Sequence, residues 1–169
     1  MTRRILLLIA THLLALGVGF GLGVYLLPVL VAPDDPPAQA VAAAMDGARY
    51  RAAFRRDLAG SDALHWAEGT VGVGPRRIAF EGTLAPGPDY KVYLTREYVD
   101  TIDGFLKIKA QARRVGEAKS FRRLLLDLPA DVDVEDYTTV VVWCETFSKF
   151  ISAAEYRRAT APGQAGTEG

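Results

Sequence analysis

Cysteine is almost missing from this 169-residue chain, with Cys144 the only one. Without a second thiol, neither an internal disulfide nor a multi-cysteine zinc or iron–sulfur site can form within one chain. An intermolecular disulfide or a single reactive thiol remains open. A c-type haem is excluded as well, because it needs Cys-x-x-Cys-His. Excess charge of either sign is also lacking: Lys plus Arg number 20 and Asp plus Glu number 20. No overall field draws the chain to a polyanion, so nucleic acid is not an expected partner. There is no Gly-x-Ser-x-Gly for a hydrolytic nucleophile, and neither Gly-x-Gly-x-x-Gly nor a phosphate-binding loop for a nucleotide. No reaction can be read from the residues.

Charge is absent locally too. From Ile5 to Val31, 27 residues, there is no Asp, Glu, Lys or Arg, and about 20 apolar residues suffice to cross a bilayer. A single transmembrane helix is expected here. Arg3 and Arg4 precede the run, and Asp34 and Asp35 stand beyond it. The positive-inside bias then leaves residues 1–4 as a cytoplasmic tip and exports the rest of the chain, giving a periplasmic or extracellular domain on a single-pass inner (cell) membrane protein. A cleaved signal peptide has the same polarity but a shorter apolar region, roughly 7–15 residues, and a small-residue cleavage site. The best cut, after Ala32, has Leu30 at the third residue back and Pro33 next, so the segment is expected to stay as a signal anchor. Gly17, Gly19, Gly21 and Gly23 form two overlapping small-xxx-small patterns that suit a homodimer face in the lipid bilayer, although glycine is also simply frequent in such helices. His12 within the run is read as a neutral imidazole bonded to a backbone carbonyl or snorkelling.

Residues 32–60 read as a linker and juxtamembrane helix. Pro33, Pro36 and Pro37 make a stiff exit from the bilayer. From Ala38 to Leu58 the chain is alanine-rich, with Tyr50, Phe54 and Leu58 every fourth residue, Asp46 placed to cap and Gly60 to terminate. A helix over that stretch is expected, packing its apolar stripe on the domain or on a twin helix. Residues 159–169 are small and polar with nothing to bury, a tail.

Residues 61–158 carry short runs rich in Val, Ile, Thr, Tyr and Phe between Gly and Pro, at the spacing of a sandwich or barrel. Strands are expected at His65–Val73, Arg77–Leu84, Asp89–Thr95, Phe105–Arg113, Arg123–Leu128 and Thr138–Phe147. Gly74-Pro75 and Pro86-Gly87-Pro88 supply turns. In the Asp89 strand, Tyr90, Val92 and Leu94 alternate with Lys91, Tyr93 and Thr95, as in a half-buried strand. The run Val140-Val141-Val142-Trp143-Cys144 is apolar on both faces and belongs in the centre of a sheet, with Trp143 and Cys144 pointing opposite ways.

Three segments resemble the DM13 domain family: His65-Trp-Ala-Glu-Gly69-Thr-Val, Gly87-Pro88-Asp89-Tyr-Lys-Val-Tyr93-Leu94, and Tyr137-Thr-Thr-Val-Val-Val-Trp143-Cys144-Glu145-Thr-Phe147 with Ala153-Ala154 behind it. The resemblance runs from about Leu58 to Arg158. It implies a mostly β fold, an antiparallel β-sandwich of the DOMON or immunoglobulin-like kind, in which Gly87, Pro88, Asp89, Tyr93, Trp143 and Phe147 form the core motif. It further implies a redox or electron-transfer role centred on the cysteine at position 144.

The residues themselves leave that role open. A thiolate carries redox chemistry or binds a metal, whereas a buried thiol next to Glu145 is a small inert hydrophobe. His65 could pair with Cys144 across the sandwich to hold haem iron or copper, or could be a strand-edge histidine bonded to a loop. No cofactor is assigned. Asp131, Asp133, Glu135 and Asp136 lack the order of a calcium loop and read as solvated carboxylates. Arg113, Arg114, Arg122 and Arg123 read as strand-edge charges rather than a lipid-facing patch. Two functions therefore stand side by side: an anchored redox accessory, and a non-catalytic binding or scaffolding module that holds a partner protein or glycan at the membrane surface.

Overall fold

The computed structural model describes residues 2–158, so the tail expected from Ala159 lies outside the described residues. It begins with helix α1, Thr2–Leu30, long and apolar enough by length and composition to cross a membrane. His12 Nδ1 lies 2.7 Å from the Leu8 carbonyl, which gives that ring nitrogen a partner within the helix. Gly17, Gly19, Gly21 and Gly23 have open space where a Cβ would stand.

After the prolines comes α2, Ala38–Asp46, shorter than the sequence suggests. It ends at Gly47, and Tyr50–Phe54 is strand β1 instead. A spacing of four between Tyr50 and Phe54 fits both the helical period and the strand period of two. The deciding residue is Ala52 between them: Tyr50, Ala52 and Phe54 all turn to one core, which only a strand allows. The stripe that packs on the domain is Val41 and Met45, seated on Ala79 and Leu125.

Two four-stranded antiparallel sheets complete the domain. One has the order β1-β2-β3-β6, with β2 at Ala67–Val73, β3 at Arg77–Leu84 and β6 at Arg123–Asp127. The other has the order β5-β4-β7-β8, with β4 at Tyr90–Thr95, β5 at Arg113–Ala118, β7 at Thr139–Cys144 and β8 at Lys149–Glu155. The sandwich interior is built from the facing sides, including Phe54, Val71, Phe80, Leu84, Val92, Leu94, Val140, Val142 and Ile151. Residues Gly69 and Gly82 face each other across β2 and β3. Gly69 has φ +142°, and a Cβ on Gly82 would strike the Glu68 carbonyl and Gly69 Cα, so only glycine fits this close approach.

The stretch expected to be strand Phe105–Arg113 is instead helix α3, Ile102–Ile108, followed by a 3₁₀ turn at Lys109–Gln111. Thr101 caps α3 by accepting the Gly104 N–H at 3.0 Å, and Asp103 sits in its first turn. The helix lays Phe105 on the outer face of the second sheet, against Tyr93, Val141, Trp143, Phe150 and Ala153. This cover explains a second departure: β4 is not half-buried, because Tyr93 and Thr95 are enclosed on the outer side as Val92 and Leu94 are on the inner. Strand β8 escapes the alternation pattern because Phe150-Ile151-Ser152-Ala153-Ala154 is buried throughout. β7 is central, with Cys144 in the sandwich core and Trp143 under α3, on opposite faces.

Candidate functional site

Three turns meet at one end of the sandwich. The first, Asp62–His65, leads into β2 and is closed by its own aspartate: Asp62 Oδ1 accepts the backbone N–H groups of Leu64 at 2.8 Å and His65 at 2.9 Å. The second, Pro86–Asp89, leads into β4. Tyr90 folds back over Gly87 so closely that any Cβ there would collide with its ring, and its hydroxyl donates to the Ala85 carbonyl at 2.8 Å. The third, Glu145–Ser148, joins β7 to β8 and holds Ser148 at φ +49°. Asp89 ties the second turn to the third, since its carbonyl accepts the Glu145 N–H at 3.0 Å and its carboxylate the Thr146 hydroxyl at 3.2 Å. The Gly-Pro-Asp-Tyr and Trp-Cys-Glu-x-Phe segments, remote along the chain, are thus one joint in space.

Between these turns and α1 lies a cleft of about 360 Å³, within the ~300–1,000 Å³ range of small-molecule sites. His65, Gly87, Tyr90, Cys144 and Phe147 line it on the domain side, and Phe20, Val24 and Tyr25 on the helix side. The structure therefore brings His65 and Cys144 to one cavity. Cys144 is 1% exposed. Burial pushes its thiol pKa up, Asp89 adds to this, and the nearby backbone N–H groups of Phe147, Asp89 and Thr146 oppose it without prevailing. Just before the cysteine the β7–β8 register shifts between Val142 and Trp143, leaving Ile151 of β8 as the unpaired residue.

His65 does not open a strand as expected. It sits in the turn before β2, with Nδ1 at 2.8 Å from both Asp62 carboxylate oxygens. Burial works to raise the Asp62 pKa, but the His65 side chain and the Leu64 and His65 backbone N–H groups outweigh it, so the carboxyl is held below its usual range. An ionised carboxylate only accepts, which puts the proton on Nδ1 and leaves Nε2 with a free lone pair in the neutral ring.

Phe147 is not core. It lies in the β7–β8 turn, 44% exposed, because β7 ends at Cys144. On the far side of β7, the Glu145 carboxylate takes the Tyr93 hydroxyl and Lys109 Nζ, the latter at 2.5 Å. Burial works to raise the Glu145 pKa, but Lys109 and Tyr93 outweigh it and the net shift is downward. Lys109 also stands 5.5 Å from the Trp143 ring centroid. Asp62, Tyr90 and Lys109 thus belong to the site or its support, although sequence patterns do not single them out as such. Of these only Asp62 leaves a local signal, an aspartate three residues before its histidine in a turn.

Among the described residues no three His, Cys, Asp or Glu side chains are grouped to hold a metal ion, and of the two candidate ligands His65 has Nδ1 bonded to Asp62 while Cys144 is a buried thiol. The acidic stretch is dispersed: Asp131 pairs with Arg113, Asp133 caps a 3₁₀ turn at Val134–Asp136, and Glu135 meets Tyr50 and Arg49. The arginines are similarly committed. Arg114 pairs with Glu117 and Arg123 with Asp35, and they sit on β5 and β6, the edge strands.

No curated protein and no solved structure matches the chain. A family model described as electron transfer DM13 matches residues 58–156, more than half the chain and the whole of the two-sheet unit from β2 to β8. The protein belongs to the DM13 family.

Proposed function

We propose that the chain is a single-pass membrane protein that carries its DM13 domain on the non-cytoplasmic side and acts as a redox or electron-transfer accessory through Cys144. The observation that carries this reading is the shared cleft of Cys144 and His65, with Asp62 orienting the imidazole. In that order the groups suit thiol–disulfide exchange. The imidazole Nε2 accepts the thiol proton, the sulfur attacks a partner's disulfide, a new S–S bond forms, and one partner sulfur leaves as thiolate. No metal enters this step. The apolar helix supports the anchor, Arg3 and Arg4 before it support the orientation, and the glycines of α1 leave a face for a second copy.

A specific observation favours the other reading, a non-catalytic binding module: Cys144 is enclosed and its thiol made less acidic by burial. One experiment separates the two. The full chain in lipid nanodiscs is treated with a disulfide reagent under native conditions, and mixed-disulfide formation is followed for the wild type and His65→Ala. Native reaction of Cys144 that slows at least tenfold in the variant supports the redox reading. A thiol that reacts only after unfolding, in a preparation whose spectrum does not change with reductant, overturns it.

A further inference from the structure

We infer that the end of the sandwich bearing Leu64, Pro88 and Phe147 is itself a membrane surface, seated in the outer leaflet beside α1, so that the cleft holding Cys144 opens to lipid and not to bulk water. This rests on the anchor reading above and extends it from the helix to the domain.

The apolar helix is longer than the bilayer core is thick. At about 1.5 Å per residue the charge-free run from Ile5 to Val31 is about 40 Å long, against about 30 Å of hydrocarbon. With Arg3 and Arg4 at the inner headgroups, the outer boundary falls about 20 residues after Ile5, near Val24 and Tyr25. A tyrosine at that level is the residue type that favours the interface.

The domain does not begin above that boundary. Phe20, Val24 and Leu27 flank Pro88, Thr146 and Phe147, and Val24 and Pro28 are the half-buried residues of this helical stretch. Phe20 lies one turn inside Val24, so the loop tips reach about 6 Å below the boundary, within the ~5–10 Å depth of interfacial elements.

Side-chain chemistry shows the same gradient. Level with Phe20–Leu27 stand Leu64, 57% exposed, and Phe147, 44% exposed. The charged group Asp89, Lys91 and Glu117 stands level with Pro28–Pro33, where headgroups would be. Polar residues share the deeper zone as well: Thr146 donates to the Asp89 carboxylate, His65 is tied to Asp62, and Lys149 has a stem long enough to snorkel. The linker also holds this arrangement in place. Arg123 donates from Nε to the Pro36 carbonyl at 2.9 Å and from its backbone N–H to Asp35 at 3.3 Å, so Pro33–Pro37 is fastened to β6 and is no free tether.

The occupant of this surface is the outer leaflet of the bilayer. The test uses the full chain in phosphatidylcholine nanodiscs with Cys144→Ala, which leaves single cysteines free for nitroxide labelling at Phe147→Cys, Leu13→Cys in mid-helix, and Arg76→Cys at the opposite end of the sandwich. Power saturation compares collision with oxygen, which enters lipid, and with a water-soluble nickel chelate. The Phe147 label is expected to favour oxygen several-fold more than the Arg76 label, approaching the Leu13 label. A Phe147 label indistinguishable from Arg76, with Leu13 in lipid, overturns this inference and leaves the anchor standing. A water-exposed Leu13 label overturns the anchor reading and this inference with it. Phe147→Trp with Cys144 intact supplies a second measurement. Lipids brominated near the glycerol should quench its fluorescence beyond that of the wild type, and equal quenching overturns the inference.

Discussion

Replacing Phe105 with Ala tests the feature of the fold that most departs from the sequence expectation. Phe105 is fully buried, with its ring centroid 5.3 Å from that of Tyr93 and 4.9 Å from that of Trp143. Removing a buried phenyl ring costs about 3–5 kcal/mol through lost transfer energy and the cavity left behind. At roughly 4–8 °C per kcal/mol for a domain of this size, the midpoint of melting should fall by about 12 °C or more. The neighbouring Leu106 is 49% exposed, so Leu106→Ala should change stability by no more than about 0.5 kcal/mol. The pairing is diagnostic because a strand would place Phe105 with Lys107, whereas α3 places it with Ile102 and Ile108, which pack in the same cluster. Urea denaturation of the full chain in detergent micelles, monitored by tryptophan fluorescence, reads both variants. A Phe105→Ala cost under about 1 kcal/mol, well below the range for a buried ring, or an equal cost at Leu106, would refute the packing of α3 on the second sheet.

Other contacts give further expected outcomes. Lys91 and Lys119 hold the Glu117 carboxyl down at about 2 against an ordinary value of 4.5. A carboxyl depressed in this way stabilises the fold fully above its unfolded value, and the contribution fades as pH falls from about 4.5 towards 2. Glu117→Gln should therefore flatten the acid limb of a urea-midpoint profile while leaving stability at pH 7 lower than wild type, and superimposable acid limbs would contradict it. Gly82→Ala should destabilise by about 2 kcal/mol or more, because its Cβ has nowhere to go between Glu68 and Gly69; a loss below about 0.5 kcal/mol, the scatter of neutral surface changes, would argue against that close approach. Glu145→Ala leaves the Tyr93 hydroxyl and Lys109 without their shared acceptor, which should cost on the order of 1–3 kcal/mol and bring the raised phenol pKa of Tyr93 down. Ultraviolet titration checks the second effect, and an unmoved Tyr93 would remove Glu145 from its causes.

Several features are legible in the sequence because they depend on composition or on neighbours along the chain. The apolar helix needs only its length and lack of charge. Strands β2, β3, β4, β6 and β7 announce themselves through β-branched and aromatic runs between Gly and Pro. The central place of β7 is read from its being apolar on both faces, and the alternation of a strand puts Trp143 and Cys144 on opposite sides.

Tertiary structure decided the rest. Tyr50 and Phe54 satisfy helix and strand periods equally, so only the β2 partner that Tyr50–Phe54 finds made them β1. Phe105 has the look of a strand residue until Trp143 and Tyr93 supply the surface on which α3 packs. Most of all, no local rule joins His65, Gly87 and Cys144, which lie far apart along the chain and meet only because β2, β4 and β7 end at the same edge of the sandwich. Periodicity and composition act over a few residues, whereas a cleft is a product of register and sheet order, and those are set by which buried faces find each other once the chain has folded.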